Sequence, residues 1–121
     1  MNEITLFDTN GSPIAYILHD EDNTIYLWEG EPVAYLDGDD IFGFNGKHLG
    51  WFEKGIMWDH DGFKVGFIKE TLKAYAQYEP YKAYKQYKPY KAYKEYKPYK
   101  PYKSVSVSTT PLSAFLLNGQ G

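Results

Sequence analysis

The 121-residue sequence contains no cysteine and no arginine, and none of its apolar runs approaches the ~20 residues that cross a bilayer as a helix. Without cysteine there is no disulfide framework, thiolate nucleophile, zinc knuckle or iron–sulfur site. The first residues, Met1-Asn2-Glu3-Ile4-Thr5, have neither the basic stretch nor the apolar core of a signal peptide, so the expectation is a cytoplasmic protein with no membrane partner. Aromatic residues, by contrast, are abundant. They make up 19% of the chain, with 13 Tyr, 7 Phe and 3 Trp, which is not the composition of a disordered chain. The length suits about one domain.

Charge divides the chain more sharply than its net of −3 suggests. Residues 1–70 hold 14 acids and 4 lysines, residues 71–103 hold 9 lysines and 2 glutamates, and residues 104–121 carry no charged side chain. The expected organisation is a body over 1–70, a basic tail over 71–103 and an end piece over 104–121. A basic tail beside an acidic body is expected to dock on it in cis.

The body repeats itself. A pattern Gly-x-x-aliphatic-small-aromatic occurs as Gly11-Ser12-Pro13-Ile14-Ala15-Tyr16, Gly30-Glu31-Pro32-Val33-Ala34-Tyr35, Gly46-Lys47-His48-Leu49-Gly50-Trp51 and Gly62-Phe63-Lys64-Val65-Gly66-Phe67. Each copy follows a short apolar run ending in Phe7, Trp28, Phe44 or Trp58, which makes the unit a β-hairpin. Glu29-Gly30 and Asn45-Gly46 suit two-residue loops, and Asp8 to Gly11 and Asp59 to Gly62 suit four-residue loops. Those lengths put Thr5, Phe7, Ile14 and Tyr16 on one face. The same holds for Tyr26, Trp28, Val33 and Tyr35, for Phe42, Phe44, Leu49 and Trp51, and for Ile56, Trp58, Val65 and Phe67. Ala15, Ala34, Gly50 and Gly66 make the opposite face narrow, so another part of the chain must approach closely there. The expected fold is all-β, with eight short strands in four hairpins around a pseudo-fourfold axis.

These hairpins, and above all Ala34-Tyr35-Leu36-Asp37-Gly38-Asp39 followed by Phe42-Gly43-Phe44-Asn45-Gly46-Lys47-His48-Leu49-Gly50-Trp51, resemble the 4-fold β flower domain of small bacterial proteins. The resemblance covers about residues 3–69, and relatives also carry a period-three basic tail. Their repeated apolar residue is more often Ile, where this chain has Tyr. The resemblance implies a fold and carries over no activity or site.

From Tyr75 to Tyr102 every third residue is Tyr, and Lys usually follows it. A period of three drifts around an α-helix, and Pro80, Pro89 and Pro98 would break one. A strand would alternate the tyrosines between faces. Polyproline II, with three residues per turn, keeps Tyr, Lys and the Ala/Gln/Pro set on separate edges. At about 3.1 Å per residue such a tail reaches roughly 85 Å, so it must wrap, fold back or project. Wrapping is expected to lay the Tyr edge, Tyr81, Tyr84, Tyr87, Tyr90, Tyr93 and Tyr96 included, together with the Lys edge over the body's aromatic gaps and acidic turns. Ser104 to Ser108 alternates like a strand. Thr110-Pro111 reads as a cap and first turn and Asn118-Gly119 as the stop of a short helix burying Leu112, Phe115 and Leu116.

No catalytic constellation stands out, and no catalytic residue, cofactor or metal ligand is assigned. Asp59-His60-Asp61 is the one motif suggesting a metal or an acid–base pair, and turn chemistry accounts for it. His48 reads as a structural histidine pointing to the narrow side. Asp37 to Asp40 and Asp20 to Asp22 lack the spacing and distant Glu of a calcium loop. The leading expectation is therefore a non-catalytic structural or interaction module. An alternative is an aromatic shelf for a sugar or choline-like cation, walled by Tyr26, Trp28, Tyr35 and Trp51, although the same residues serve equally as core. A third reading, binding of single-stranded nucleic acid by the Tyr/Lys tail, runs against the −10 charge of the body.

Overall fold

A computed structural model describes residues 3–120; Met1, Asn2 and Gly121, at the outer ends of the expected body and end piece, lie outside the described residues. Eight antiparallel strands close into a barrel in chain order: β1 Glu3–Phe7, β2 Pro13–Leu18, β3 Thr24–Leu27, β4 Pro32–Asp37, β5 Asp40–Gly43, β6 His48–Glu53, β7 Ile56–Trp58 and β8 Lys64–Phe67. The seam between β1 and β8 is narrow, with Phe7 paired to Phe67. Closure leaves no sheet edge free, which suits strands this short. The chain continues through a 3₁₀ turn, Lys69–Thr71, and ends in one helix, α1, Leu112–Leu117.

All four hairpins use one loop, where two lengths were expected. In each, the N–H of a turn residue donates to the carbonyl four residues on, and the N–H of the turn glycine donates back to that residue's carbonyl. The pairs are Asp8 with Ser12 and Gly11, Leu27 with Glu31 and Gly30, Gly43 with Lys47 and Gly46, and Asp59 with Phe63 and Gly62. This is a type I turn closed by a left-handed glycine, and Gly30 and Gly46 sit at φ 100° and 90°. Such a loop carries a bulge, and the register shifts in each hairpin at the matching place: Leu6/Phe7, Ile25/Tyr26, Ile41/Phe42 and Met57/Trp58.

A one-residue shift turns side chains to the other face, and this corrects the expected faces. Val33, Leu49 and Val65 join Leu6, Ala15, Ile17, Ile25, Leu27, Ala34, Ile41 and Met57 in the barrel interior, with Ile14 packed against it. The equivalent aromatics four residues before the turn glycine become Phe7, Tyr26, Phe42 and Trp58, with Trp28 and Phe44 inside the turns. Aromatic rings therefore collect on the outer surface, in separate clusters such as Tyr16, Tyr26 and Trp28 or Tyr35, Phe42 and Phe44.

The interior is sealed by α1, whose Leu112, Phe115 and Leu116 are buried with the barrel's own apolar residues. Here the small residues find their cause. A Cβ on Gly43 would stand 2.2 Å from the Cα of Gly119, and one on Gly66 would stand 2.9 Å from Leu112. The helix begins one residue later than expected, with Pro111 at the cap position and no side-chain capping bond. Between Ser104 and Ser108 only Val107 makes a strand-like bridge, parallel to Lys64.

Residues 75–103 form neither helix nor strand and pass the four hairpin turns in order. Gln77, Gln86, Glu95 and Ser104, nine residues apart, each donate their N–H to the carbonyl of a turn glycine, Gly11, Gly30, Gly46 and Gly62, at 2.8–2.9 Å. In the same units the carbonyls of Tyr75, Tyr84, Tyr93 and Tyr102 lie 2.0–2.2 Å from where a Cβ on those glycines would be. The nine-residue repeat of this collar thus matches the hairpin repeat of the barrel, one unit per turn. The turn glycine is required twice over, for its backbone angle and for the approach of the collar.

Candidate functional site

Each outer aromatic cluster joins a ring five residues after one turn glycine to rings four and two residues before the next. In the first, Tyr16 stacks on Tyr26 at 5.6 Å and meets Trp28 edge-on at 5.8 Å. In the second, Tyr35 lies 6.3 Å from Phe42 and 5.4 Å from Phe44. In the third, Trp51 is joined by His48 at 4.9 Å and His60 at 5.7 Å. The four expected shelf residues are therefore not brought together: Tyr26 and Trp28 share a cluster, while Tyr35 and Trp51 stand in two others. All four are buried.

What covers them is the Lys edge of the collar. Lys82 lies 4.9 Å from the Trp28 ring and 5.0 Å from Tyr16; Lys91 lies 4.3 Å from Tyr35, Lys94 5.6 Å from Phe42, and Lys103 5.3 Å from Trp58. An ammonium over a ring contributes about 0.5–2 kcal/mol, the larger value when water is excluded. The same lysines reach carboxylates at the barrel's rim. Lys82 and Lys85 pair with Glu3 at 3.0 Å, Lys88 with Asp20 and Asp22, Lys91 with Asp22 at 2.6 Å, Lys94 with Asp37 at 2.9 Å, Lys97 with Asp40 at 3.0 Å, and Lys100 and Lys103 with Glu53. Lys91 chiefly holds the Asp22 carboxyl below its usual range, Lys94 does so for Asp37, and Lys100 for Glu53. For Glu3, burial works against ionisation and the two lysines outweigh it. Burial pushes the Tyr16, Tyr26 and Tyr35 phenols up.

The Tyr edge points the other way. The side chains of Tyr81, Tyr84, Tyr87, Tyr90, Tyr93 and Tyr96 are 97–102% exposed, so the contacts expected of them are made by lysines and by backbone, through the carbonyls of Tyr84 and Tyr93 among others. The reason is chemical: clusters already filled with rings have no space for another, and their negative ring faces and acidic rim select an ammonium. Among the described residues, Tyr16 Oη, Tyr35 Oη and Trp58 Nε1 are buried without a hydrogen-bond partner.

The third hairpin departs from the repeat. Where Pro13 and Pro32 stand two residues after the turn glycine, this hairpin has His48. Where Trp28 and Phe44 stand two residues before it, the next turn has His60, and where Gln77 and Gln86 stand in the collar, Glu95 follows. His48 points outward against Phe42 and Trp51, not to the narrow side, because of the register shift beside it. Its Nε2 is 3.0 Å from Asp40 Oδ1, its Nδ1 is 3.0 Å from His60 Nε2, and its backbone N–H donates to Glu95 Oε2 at 2.7 Å. Burial lowers the His48 pKa, against the pull of Asp40. The Asp59 carboxylate accepts the N–H groups of Asp61 and Phe63, which is turn chemistry as expected. His60 borders an open cleft of about 470 Å³ lined also by Lys47, Asp61, Glu95 and Thr110. Among the described residues no group of three or more His, Asp or Glu side chains could hold a metal ion. Aligning the four repeats position by position, and not only on their shared pattern, is the signal that would have singled out His48, His60 and Glu95.

A closed, all-antiparallel barrel of four hairpins, each turned on a left-handed glycine, defines a fourfold β-repeat protein. Residues 4–116 match the sequence model of the 4-fold beta flower protein family, and the chain belongs to that family. No curated protein and no solved structure matches it. No helix among the described residues is long and apolar enough to cross a membrane.

Proposed function

We propose that the protein is a non-catalytic interaction module in which the barrel acts as a spool and the collar displays a row of tyrosines. The observation that carries this reading is the exposure of the ten collar tyrosines, 85–102%, on a backbone that is itself hydrogen-bonded to the barrel at every turn. Large amphipathic rings held in a line without packing partners suit recognition better than stability. The collar lysines have acidic partners, so the row meets its partner by stacking and phenolic hydrogen bonds, and nucleic acid would have to break the ion pairs to bind. Replacing Tyr84, Tyr87 and Tyr90 together by Ala is expected to leave the melting temperature within about 2 °C of wild type. Loss of several degrees or more would make these rings packing residues and overturn the reading.

The alternative of a shelf for a choline-like cation draws support from the clusters themselves, since the first two already hold an ammonium over their rings. An outside cation must displace a lysine that is also tied to a carboxylate. Titrating choline or small sugars is therefore expected to leave Trp fluorescence unchanged, and saturable quenching would favour the shelf. Binding of oligo-dT at low salt, falling as salt is added, would favour the nucleic-acid reading instead.

A further inference from the structure

The contacts of His48 form a line with a fixed proton order. Asp40 also accepts from Lys97 Nζ at 3.0 Å and serves as an acceptor, so His48 Nε2 carries the hydrogen that fills the bond to Oδ1. His48 Nδ1 is then a lone pair, and His60 Nε2 is the donor to it at 3.0 Å. The two rings lie at 9° with centroids 5.2 Å apart. With that nitrogen–nitrogen distance, these values describe rings end to end and nearly coplanar, joined along the bond, and not stacked faces. The arrangement tolerates an extra proton on the outer nitrogen of His60, because His60 remains a donor. It does not tolerate a second on His48 Nδ1, because N–H would then face N–H.

The line runs across the third and fourth hairpins and reaches the collar. Asp40 belongs to β5, His48 to β6, and His60 to the turn between β7 and β8. Glu95 and Lys97 of the collar bind at its inner end, while Lys47, Asp59 and Asp61 face the cleft at its outer end. The His60 turn is also where the last collar unit docks, Ser104 N–H to Gly62 O at 2.9 Å. In the two preceding turns the collar adds a second backbone bond, from Ala83 to Trp28 O and from Ala92 to Phe44 O. At the corresponding place Pro101 has no N–H to give.

We propose that Asp40, His48 and His60 form a pH-operated clasp that holds the last two units of the collar on the barrel and releases them when a proton is added at His48 Nδ1. The repeat itself supplies the contrast: the first two turns carry Thr9 and Trp28 where the fourth carries His60, and their collar units have no titrating partner of this kind.

Amide hydrogen exchange on the full chain, corrected for the intrinsic effect of pH, tests this at single residues. Between pH 7.5 and 5.5 the protection of Ser104 and Glu95 is expected to fall by up to about tenfold, while that of Gln77 and Gln86 holds. His60→Phe, which restores the ring type of Phe44 at that position, is expected to keep the collar docked and remove the difference. Imidazole nitrogen spectra at pH 7.5 are expected to place the His48 proton on Nε2. Equal loss of protection in all four units, unchanged protection of Ser104 and Glu95, or a proton on His48 Nδ1 at pH 7.5 would each overturn the proposal.

Discussion

The barrel and the collar repeat in step, one hairpin to nine collar residues, yet they are held by different forces. The barrel closes its ladder on itself and buries apolar residues from every strand around α1. The collar buries almost nothing of its own. Its tyrosines face out, and its lysines, 27–60% exposed, work through carboxylates and ring faces. Pairs this open contribute about 0–1 kcal/mol each and weaken with salt. Two regions sharing one symmetry can thus differ in stability, and the collar is expected to open first.

The comparison breaks most completely at the glycines where the chain crosses itself. Gly50→Val sets a Cβ 2.0 Å from the Trp58 carbonyl and against Phe115, inside the barrel. It is expected to cost about 4 kcal/mol or more, or to yield no folded protein, as read by urea unfolding. Gly30→Ala strikes the collar's side of the same contact scheme, with φ at 100° and a Cβ 2.1 Å from the Tyr84 carbonyl. A loss of about 2–3 kcal/mol is expected, together with faster amide exchange at Ala83 and Gln86. If the whole barrel unfolds with it, the two regions are not separable.

Acid sharpens the contrast. The carboxyls of Glu3, Asp20, Asp22, Asp37 and Glu53 are held below their ordinary values of 4.5 and 3.8. Their contribution is full above those values and is lost as pH falls through the depressed ones. His48 is depressed too, from an ordinary 6.5, so the folded chain holds fewer protons than the unfolded one and stability declines already as pH drops below 6.5. Two acid steps are expected in a series of melting curves, and His60→Phe is expected to diminish the first without touching the second.

Salt at about 1 M, where the screening length is about 3 Å, is expected to speed exchange in the collar while strand amides stay protected. Uniform behaviour would make the ion pairs incidental. The smallest effect is expected of Tyr16→Phe and Tyr35→Phe, which remove buried hydroxyls that have no partner. Removing an unpaired buried polar atom is neutral to stabilising by about 1 kcal/mol, and calorimetry would detect a loss.

Much of this architecture was legible. The four Gly-x-x-aliphatic-small-aromatic strings give the hairpins, their number and the all-β class, because a turn glycine and a two-residue period leave strong marks. The faces were not, since the bulge that moves Val33, Leu49 and Val65 inward depends on how the turn closes, and Glu29-Gly30 suits more than one loop. The period of three in the tail gives three edges but not which edge faces in. That choice was decided by the environment it meets, rings and carboxylates, which prefer the lysines. His60 reads, through its neighbours Asp59 and Asp61, as part of a turn, and it lies in one. Its bond to His48 joins hairpins and has no local signature.

Whether the collar is part of the fold with its lysines turned in is decided by limited trypsin digestion at low salt followed by intact mass. Lys88, Lys97 and Lys100 precede proline and resist cleavage in any state, which leaves Lys82, Lys85, Lys91, Lys94 and Lys103 as the informative sites. These bonds are expected to survive for hours, with the full mass persisting. Rapid trimming to a stable fragment ending at Lys69 or Lys73 would contradict it.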